Sequence, residues 1–308
     1  MMISLIITKF GPRVQSIKEL FMSDYQIITD SGCDLPNEVL EKLDLKMVSL
    51  SLIFRGKTQA DSVSGDIKAF YDAMRQGECA TTSAINPDGW ARAMENELTQ
   101  GLDVLVIAFS SGLSTTYQSA VIASQELQEK YPQRKILVVD SRCASLGQGL
   151  LCHYAAKKRD QGLSIDELAA WLESNKMNLC HWFTVDDLVY LKRGGRVSAA
   201  TALVGTLLNI KPVLHVDDEG HLVKVTTARG RKASIQALAD QMVKLGLPGE
   251  NDFISICHGD CYDDACALGE MLKEKLGVKE VFIGYTGAVI GSHSGPGTLA
   301  LFFLGKNR

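Results

Sequence analysis

The sequence predicts an α/β protein of two domains. The first would hold a mostly parallel sheet with helices on both faces, the second an α/β domain with a mixed sheet. Three observations predict it. From Tyr25 to Arg159, short apolar runs alternate with stretches of helical period, the order that builds a parallel sheet covered on both sides. Beyond Gly162 the alternation is broken by two runs, Lys211 to Val216 and His221 to Thr227. They flank Asp217-Asp218-Glu219-Gly220, a turn-rich connector of hairpin kind. The chain has 308 residues, 46% hydrophobic and 22% charged, which suffices for two buried cores. The expected division is 22–163 and 164–308, with 1–21 an upstream extension outside the fold.

The elements follow in order. Tyr25 to Thr29 reads as a strand ending in Asp30-Ser31-Gly32, and Leu45 to Phe54 as one extended stretch. Asp66 to Arg75 is helical, with Ile67, Phe70, Tyr71 and Met74 on one face at helical spacing. Asp88 to Thr99 is a helix, Val104 to Phe109 a strand, and Gln118 to Glu129 a helix. Ile136 to Asp140 is a strand and Leu146 to Arg159 a helix. In the second half come a helix from Ile165 to Asn175, a strand from Leu179 to Val185, a short segment from Asp187 to Leu191, and the apolar helix Ala199 to Leu208. After the hairpin, helices Ser234 to Leu245 and Asp264 to Leu276 alternate with strands Phe253 to Cys257 and Glu280 to Tyr285.

Composition narrows the function. A net charge of -4 without a clustered basic face argues against nucleic acid. The longest apolar run, Ala199 to Ile210, is too short to span a membrane and contains Asn209. Eight cysteines form no C-x-x-C pair, and residues 1–21 lack an apolar core followed by a small-residue cleavage site. The expectation is a cytoplasmic protein with reduced thiols. Cys257, His258, Asp260 and Cys261 lie close together, but the spacing matches no metal framework, and Phe253 to Cys257 reads as a buried strand. No metal is expected.

Chemistry concentrates in hydroxyl-rich turns. Ser110-Ser111-Gly112-Leu113-Ser114-Thr115-Thr116-Tyr117 joins an apolar run to a helix, and Thr81-Thr82-Ser83 precedes another helix near Pro87. Helix N-termini carry N–H groups without intrahelical partners, so hydroxyl-rich turns there suit an anion. Plain N-capping explains each cluster taken singly. A carboxylate accepts hydrogen bonds only and needs donors. Thr82, Ser83, Ser111 and Ser114 offer hydroxyls, and Gly112 admits close backbone approach. His293 falls in the Gly-rich stretch Gly291 to Gly297, read either as a loop reaching a cleft or as a histidine serving local structure only. Arg196 follows Gly194-Gly195, a bend able to aim a guanidinium, or, from its residues alone, a solvated basic turn. Lys192 and Arg193 read as docking or solvated charges, and Asp30 as a cap or turn residue.

These residues resemble the DegV family of fatty-acid-binding proteins. The matching pieces are Ile28-Thr29-Asp30-Ser31, Thr82-Ser83, Ser110-Ser111-Gly112-Leu113-Ser114 and Val139-Asp140-Ser141. They continue with Tyr190-Leu191-Lys192-Arg193-Gly194-Gly195-Arg196-Val197-Ser198, Leu208-Asn209-Ile210-Lys211-Pro212 and Gly291-Ser292-His293-Ser294-Gly295-Pro296-Gly297. Two pieces depart from the family. Its Thr-Ser-Gln-Pro-Ser is here Thr82-Ser83-Ala84-Ile85-Asn86-Pro87, and its Leu-Ser-Gly-Thr-Tyr is Leu113-Ser114-Thr115-Thr116-Tyr117, which replaces a permissive Gly by Thr115.

The resemblance implies one long-chain fatty acid buried between or within the domains, with no other cofactor. It implies a non-catalytic carrier subunit of a bacterial fatty-acid kinase, whose separate ATP-binding subunit phosphorylates the bound carboxylate for phospholipid synthesis. Thr82, Ser83, Ser111, Gly112, Ser114, Thr115, Arg196 and His293 would then hold the headgroup. The competing reading is an enzyme, hydrolase or kinase-like, acting on a small acyl or phosphorylated metabolite. Against it, the chain has neither a Gly-x-Ser-x-Gly elbow nor a Gly-x-x-x-x-Gly-Lys-Ser/Thr loop.

Overall fold

A computed structural model describes residues 24–61, 66–198 and 209–308. The expected extension at 1–21 and the helix at 199–208 lie outside the described residues. Two large sheets dominate. The first is wholly parallel, in the order β2-β1-β6-β7. Its strands are β1 (Tyr25–Asp30), β2 (Leu45–Val48), β6 (Asp103–Ala108) and β7 (Ile136–Asp140). Alternate residues of β1 and β6 point to opposite cores. Ile27, Leu105 and Ile107 enter one, and Ile28, Val104 and Val106 the other, as strand pleating requires.

Helices cover both faces. α3 (Pro87–Leu98) and α4 (Thr116–Lys130) pack on one; α5 (Leu146–Asp160) and α6 (Ile165–Asn175) pack on the other. Helix α6 lies against β6 and β7. By packing it belongs with the first sheet, although it follows the expected boundary at 163/164.

The second sheet has the order β10-β9-β8-β13-β11-β12 and is mixed, since only β11 and β12 run parallel. It comprises β8 (Leu179–Thr184), β9 (Ile210–Val216), β10 (Leu222–Arg229), β11 (Phe253–His258), β12 (Glu280–Tyr285) and β13 (Leu299–Leu304). β9 and β10 form the expected hairpin. α8 (Arg231–Leu245) and α9 (Tyr262–Leu276) cover its outer face. Its inner face meets α5, so Phe183, Leu214 and Phe302 share a core with Ile27 and Ile107 of the first sheet.

Three local expectations need correction. Leu45 to Phe54 is not one extended stretch. β2 pairs with β1, and the chain then turns to form β3 (Ser51–Phe54) in a separate antiparallel sheet, β4-β3-β5. In that sheet β4 is Lys57–Ala60 and β5 is Thr81–Ser83. The Thr81-Thr82-Ser83 turn is thus a strand, pairing Leu52 with Thr82. The stretch holding His293 is not a loop: Ala288–Ser294 is a helix, α10. Two short helices, α1 (Asn37–Lys42) and α7 (Val189–Arg193), and the amphipathic α2 (Ile67–Arg75) complete the described elements. No helix among the described residues is long and apolar enough to cross a membrane.

Candidate functional site

A cavity of about 720 Å³ opens where the carboxyl end of β6 and strand β5 face the inner side of the second sheet. That volume lies within the roughly 300–1,000 Å³ of sites that enclose small organic ligands. Its deep wall is apolar, with Phe109, Phe183, Val216, Leu222, Ala300 and Phe302. Polar groups gather where the hydroxyl clusters, α7 and α10 converge.

The turn after β6 is built by its own hydrogen bonds. Ser110 Oγ donates to the Gly220 carbonyl at 2.9 Å and accepts from Gly112 N at 3.2 Å. Ser111 N donates to Asp140 at 3.1 Å. Ser114 Oγ accepts from Thr116 N at 3.2 Å and shares a hydrogen bond with Thr116 Oγ1, a serine turn that leads into α4. Thr115, in the family's Gly position, has φ -78 and ψ 5. Any residue adopts that conformation, so replacing Gly there strains nothing.

Arg196 ties this turn to α7. Its Nε and Nη2 donate to the Leu113 carbonyl at 3.1 and 2.9 Å, and Nη1 donates to the Gly194 carbonyl. Among the described residues no carboxylate pairs with it. Burial of the guanidinium pulls its pKa down, although an arginine stays charged in a protein.

His293 hydrogen-bonds through Nε2 to Thr82 Oγ1 at 2.8 Å. Among the described residues, its buried Nδ1 has no partner. Burial, and then the Arg196 charge, lower its pKa to about 4, so the ring is neutral at pH 7. Gly194 makes room for it. A Cβ there would overlap His293 Nδ1 and stand 3.0 Å from Cγ.

Seven of the eight residues singled out from sequence line the cavity: Thr82, Ser83, Ser111, Ser114, Thr115, Arg196 and His293. Gly112 does not. A Cβ on it would stand 2.7 Å from the Glu219 carbonyl oxygen, so this glycine admits the turn of the β9–β10 hairpin. Lys192 and Arg193 stay exposed outside the cavity. Arg193 donates to Cys79 Sγ at 2.8 Å and stacks over Tyr190. Asp30 is a capping residue: its buried carboxyl accepts from Gly32 N at 3.0 Å and Phe109 N at 2.7 Å. Burial pushes its pKa up to about 7.

Sequence reasoning missed other wall residues. Ser145 and His181 come from the start of α5 and from β8, and Thr286 precedes α10. Nothing local marks them: they come to the cavity only through the packing of separate elements. The aromatic wall was nearer to hand. Phe183 stands on the expected strand Leu179 to Val185, whereas Phe302 stands on β13, a strand not read from the sequence.

Comparison with known proteins agrees with this architecture. The family described as "Uncharacterised protein, DegV family" matches residues 24–306. A "DegV domain-containing protein CPE0026" from Clostridium perfringens is 45% identical over 289 residues, covering 93% of this chain and 99% of its own. The structure of a DegV family protein from Thermus thermophilus, described by its fatty-acid binding, superposes with a TM-score of 0.81. It is 33% identical, with 91% of this chain and 99% of that one covered. The Streptococcus pneumoniae Fatty Acid Kinase (Fak) B3 protein, loaded with linoleic acid, gives a TM-score of 0.81 at 26% identity, over 92% and 99% of the two chains. With the family matched over nearly all the described residues and a relative at 45% identity over almost its full length, this chain belongs to the DegV family.

Proposed function

We propose that the protein binds one long-chain fatty acid. The acyl chain occupies the apolar cavity, and the carboxylate lies among Thr82, Ser83, Ser111, Ser114, Thr115, Arg196 and His293. One observation carries this reading: on the wall of a largely apolar cavity, a half-buried guanidinium hydrogen-bonds to carbonyls and, among the described residues, to no carboxylate. A buried charge normally has a partner of opposite sign. A ligand that joins an apolar tail to a single carboxylate supplies one. The named partners of similar structures, fatty acids in each case, support the same class.

We further propose that the protein is a cytoplasmic carrier with no catalysis of its own. It presents the carboxylate to a separate ATP-dependent kinase that forms the acyl phosphate. The name of the Streptococcus pneumoniae relative supports that partner.

Native mass spectrometry of protein purified from its host tests the ligand, with an acyl chain of defined mass expected. A cavity free of lipid, together with no measurable fatty-acid affinity, would refute it. Arg196→Ala should weaken fatty-acid binding at least tenfold, since a hydrogen bond to a charged group is worth about 1.5–3 kcal/mol. Acyl phosphate should form only when ATP and the kinase are both present. Robust ATP turnover by the carrier alone, abolished by a point substitution within it, would overturn the carrier role.

A further inference from the structure

Helix α10 has seven residues, too few to be stable on helical propensity alone. It also lacks a cap of its own: the N-cap is Gly287, with no side chain to give. An ordinary N-cap side chain accepts from the N–H of the second or third helical residue. Here that bond comes from 228 residues away. Val289 N, the second helical amide, donates to Asp61 Oδ1 at 3.0 Å.

Asp61 is itself anchored. Its N–H donates to the Leu50 carbonyl at 2.9 Å, and its carbonyl accepts from Ser49 Oγ at 2.8 Å. A second buried carboxyl, Asp34, accepts from Ser145 Oγ. Among the described residues its other oxygen, Oδ1, is buried with no hydrogen-bond partner, and its carboxyl faces the Gly287 amide. The chain entering α10 is held as well, because Tyr71 donates to the Thr286 carbonyl at 2.8 Å.

Two carboxyl groups buried together are unfavourable. Burial and then the Asp61 charge push Asp34 well above the usual carboxylate range. Their placement becomes intelligible from what they hold. Both converge on the start of α10, and the last turn of α10 carries His293 and its bond to Thr82.

We propose that Asp61, supported by Asp34, is a positioning residue for His293, acting as a remote N-cap that fixes α10 at the headgroup end of the cavity. The inference rests on the ligand reading only for its consequence in binding. The position of the ring is read without ligand.

The experiment follows the His293 ring by NMR of histidine-labelled, ligand-free protein as pH is varied, with fatty-acid affinity and thermal melting measured alongside. In the wild type the ring should titrate near 4. In Asp61→Ala it should move toward the ~6.5 of an exposed imidazole, and affinity should fall about tenfold. Asp61→Asn keeps an acceptor oxygen in place and should resemble the wild type in both respects. If Asp61→Ala does not fold, Asp61→Glu replaces it. That variant keeps the charge but displaces the acceptor by one methylene, and should shift the His293 titration in the same direction.

A lower melting temperature with an unchanged His293 titration in Asp61→Ala or Asp61→Glu would mean that Asp61 only stabilises the fold, and overturns the proposal. So would an Asp61→Asn variant as perturbed as the removal variant. Wild-type protein that binds no fatty acid, with the titration shifts as expected, would overturn the ligand reading and leave the positioning role intact.

Discussion

Gly194→Ala separates the geometry of the site from the stability of the fold. Gly194 ends α7 with φ -72 and ψ -9, a conformation in which Ala is the better residue by about 0.5–1 kcal/mol. The backbone therefore does not object. The added Cβ would overlap His293 Nδ1 and lie 3.0 and 3.1 Å from Cγ and Cε1. The ring must turn away, and the 2.8 Å bond to Thr82 must break. If His293 and Thr82 together serve a carboxylate, the loss is one hydrogen bond to a charged group, about 1.5–3 kcal/mol, or roughly ten- to hundredfold in affinity. The neighbouring glycine supplies the control. Gly195 has φ +71 and open space around its would-be Cβ. Gly195→Ala should cost about 1–2 kcal/mol of stability through left-handed strain and leave affinity unchanged. Calorimetric titration with a fatty acid and thermal melting read the two quantities separately. Affinity within twofold of wild type in Gly194→Ala, with the melting temperature held, would show that His293 does not serve the headgroup.

Two further outcomes follow from the same geometry. Gly112→Ala should destabilise the fold by about 1–3 kcal/mol, because its Cβ would meet the Glu219 carbonyl oxygen at 2.7 Å and the Gly220 carbonyl at 2.8 Å; an unchanged urea midpoint would refute this. The second concerns acid. The His293 pKa is lowered to about 4, so the unfolded chain takes up that proton first. The contribution of the neutral ring is whole above pH ~6.5 and is lost as pH falls through 4. Over that window the stability gap between wild type and His293→Gln should move by about 3 kcal/mol in favour of the variant, and parallel stability–pH curves for the two proteins would contradict it.

The alternation of strand and helix was legible because it is local. Ile27 and Ile28 face different cores one residue apart, and a pleated strand covered on both sides reads as a continuous apolar run. What was not legible depends on partners distant in the chain. Thr81-Thr82-Ser83 has the composition of a turn and becomes a strand only because Leu52 and Thr82 pair. Gly291-Ser292-His293-Ser294 has the composition of a loop. It is helical because Asp61, just past β4, caps it and because Gly291 lies against the Tyr71 hydroxyl. The same limit hid the role of Gly112. From sequence it stood among hydroxyls and read as part of an anion site, whereas the hairpin turn it faces lies over a hundred residues on. Arg196 was found from the paired glycines before it. Its partners, Leu113 and Gly194, could not be foreseen, since backbone carbonyls leave no trace in the sequence.

Those carbonyl partners bear on how the site would work. A guanidinium held by a carboxylate has fixed geometry but a cancelled charge, and an incoming anion must compete with the internal partner. Arg196 is fixed equally well, by three hydrogen bonds to two carbonyls, and no carboxylate among the described residues pairs with it. Asp30 and Asp34 are buried beneath the wall, where desolvation favours their neutral forms. Neutral hydroxyls and an uncharged His293 make up the rest of the polar end. If the proposed headgroup site holds, an arriving carboxylate would meet a guanidinium that no carboxylate among the described residues pairs with, and donors already in place, with little reorganisation of the protein. Fixed donors and a standing charge in a partly dry site are worth more than the same groups in water. A substitution that gave Arg196 a carboxylate neighbour should therefore weaken anion binding more than one that removed a single hydroxyl.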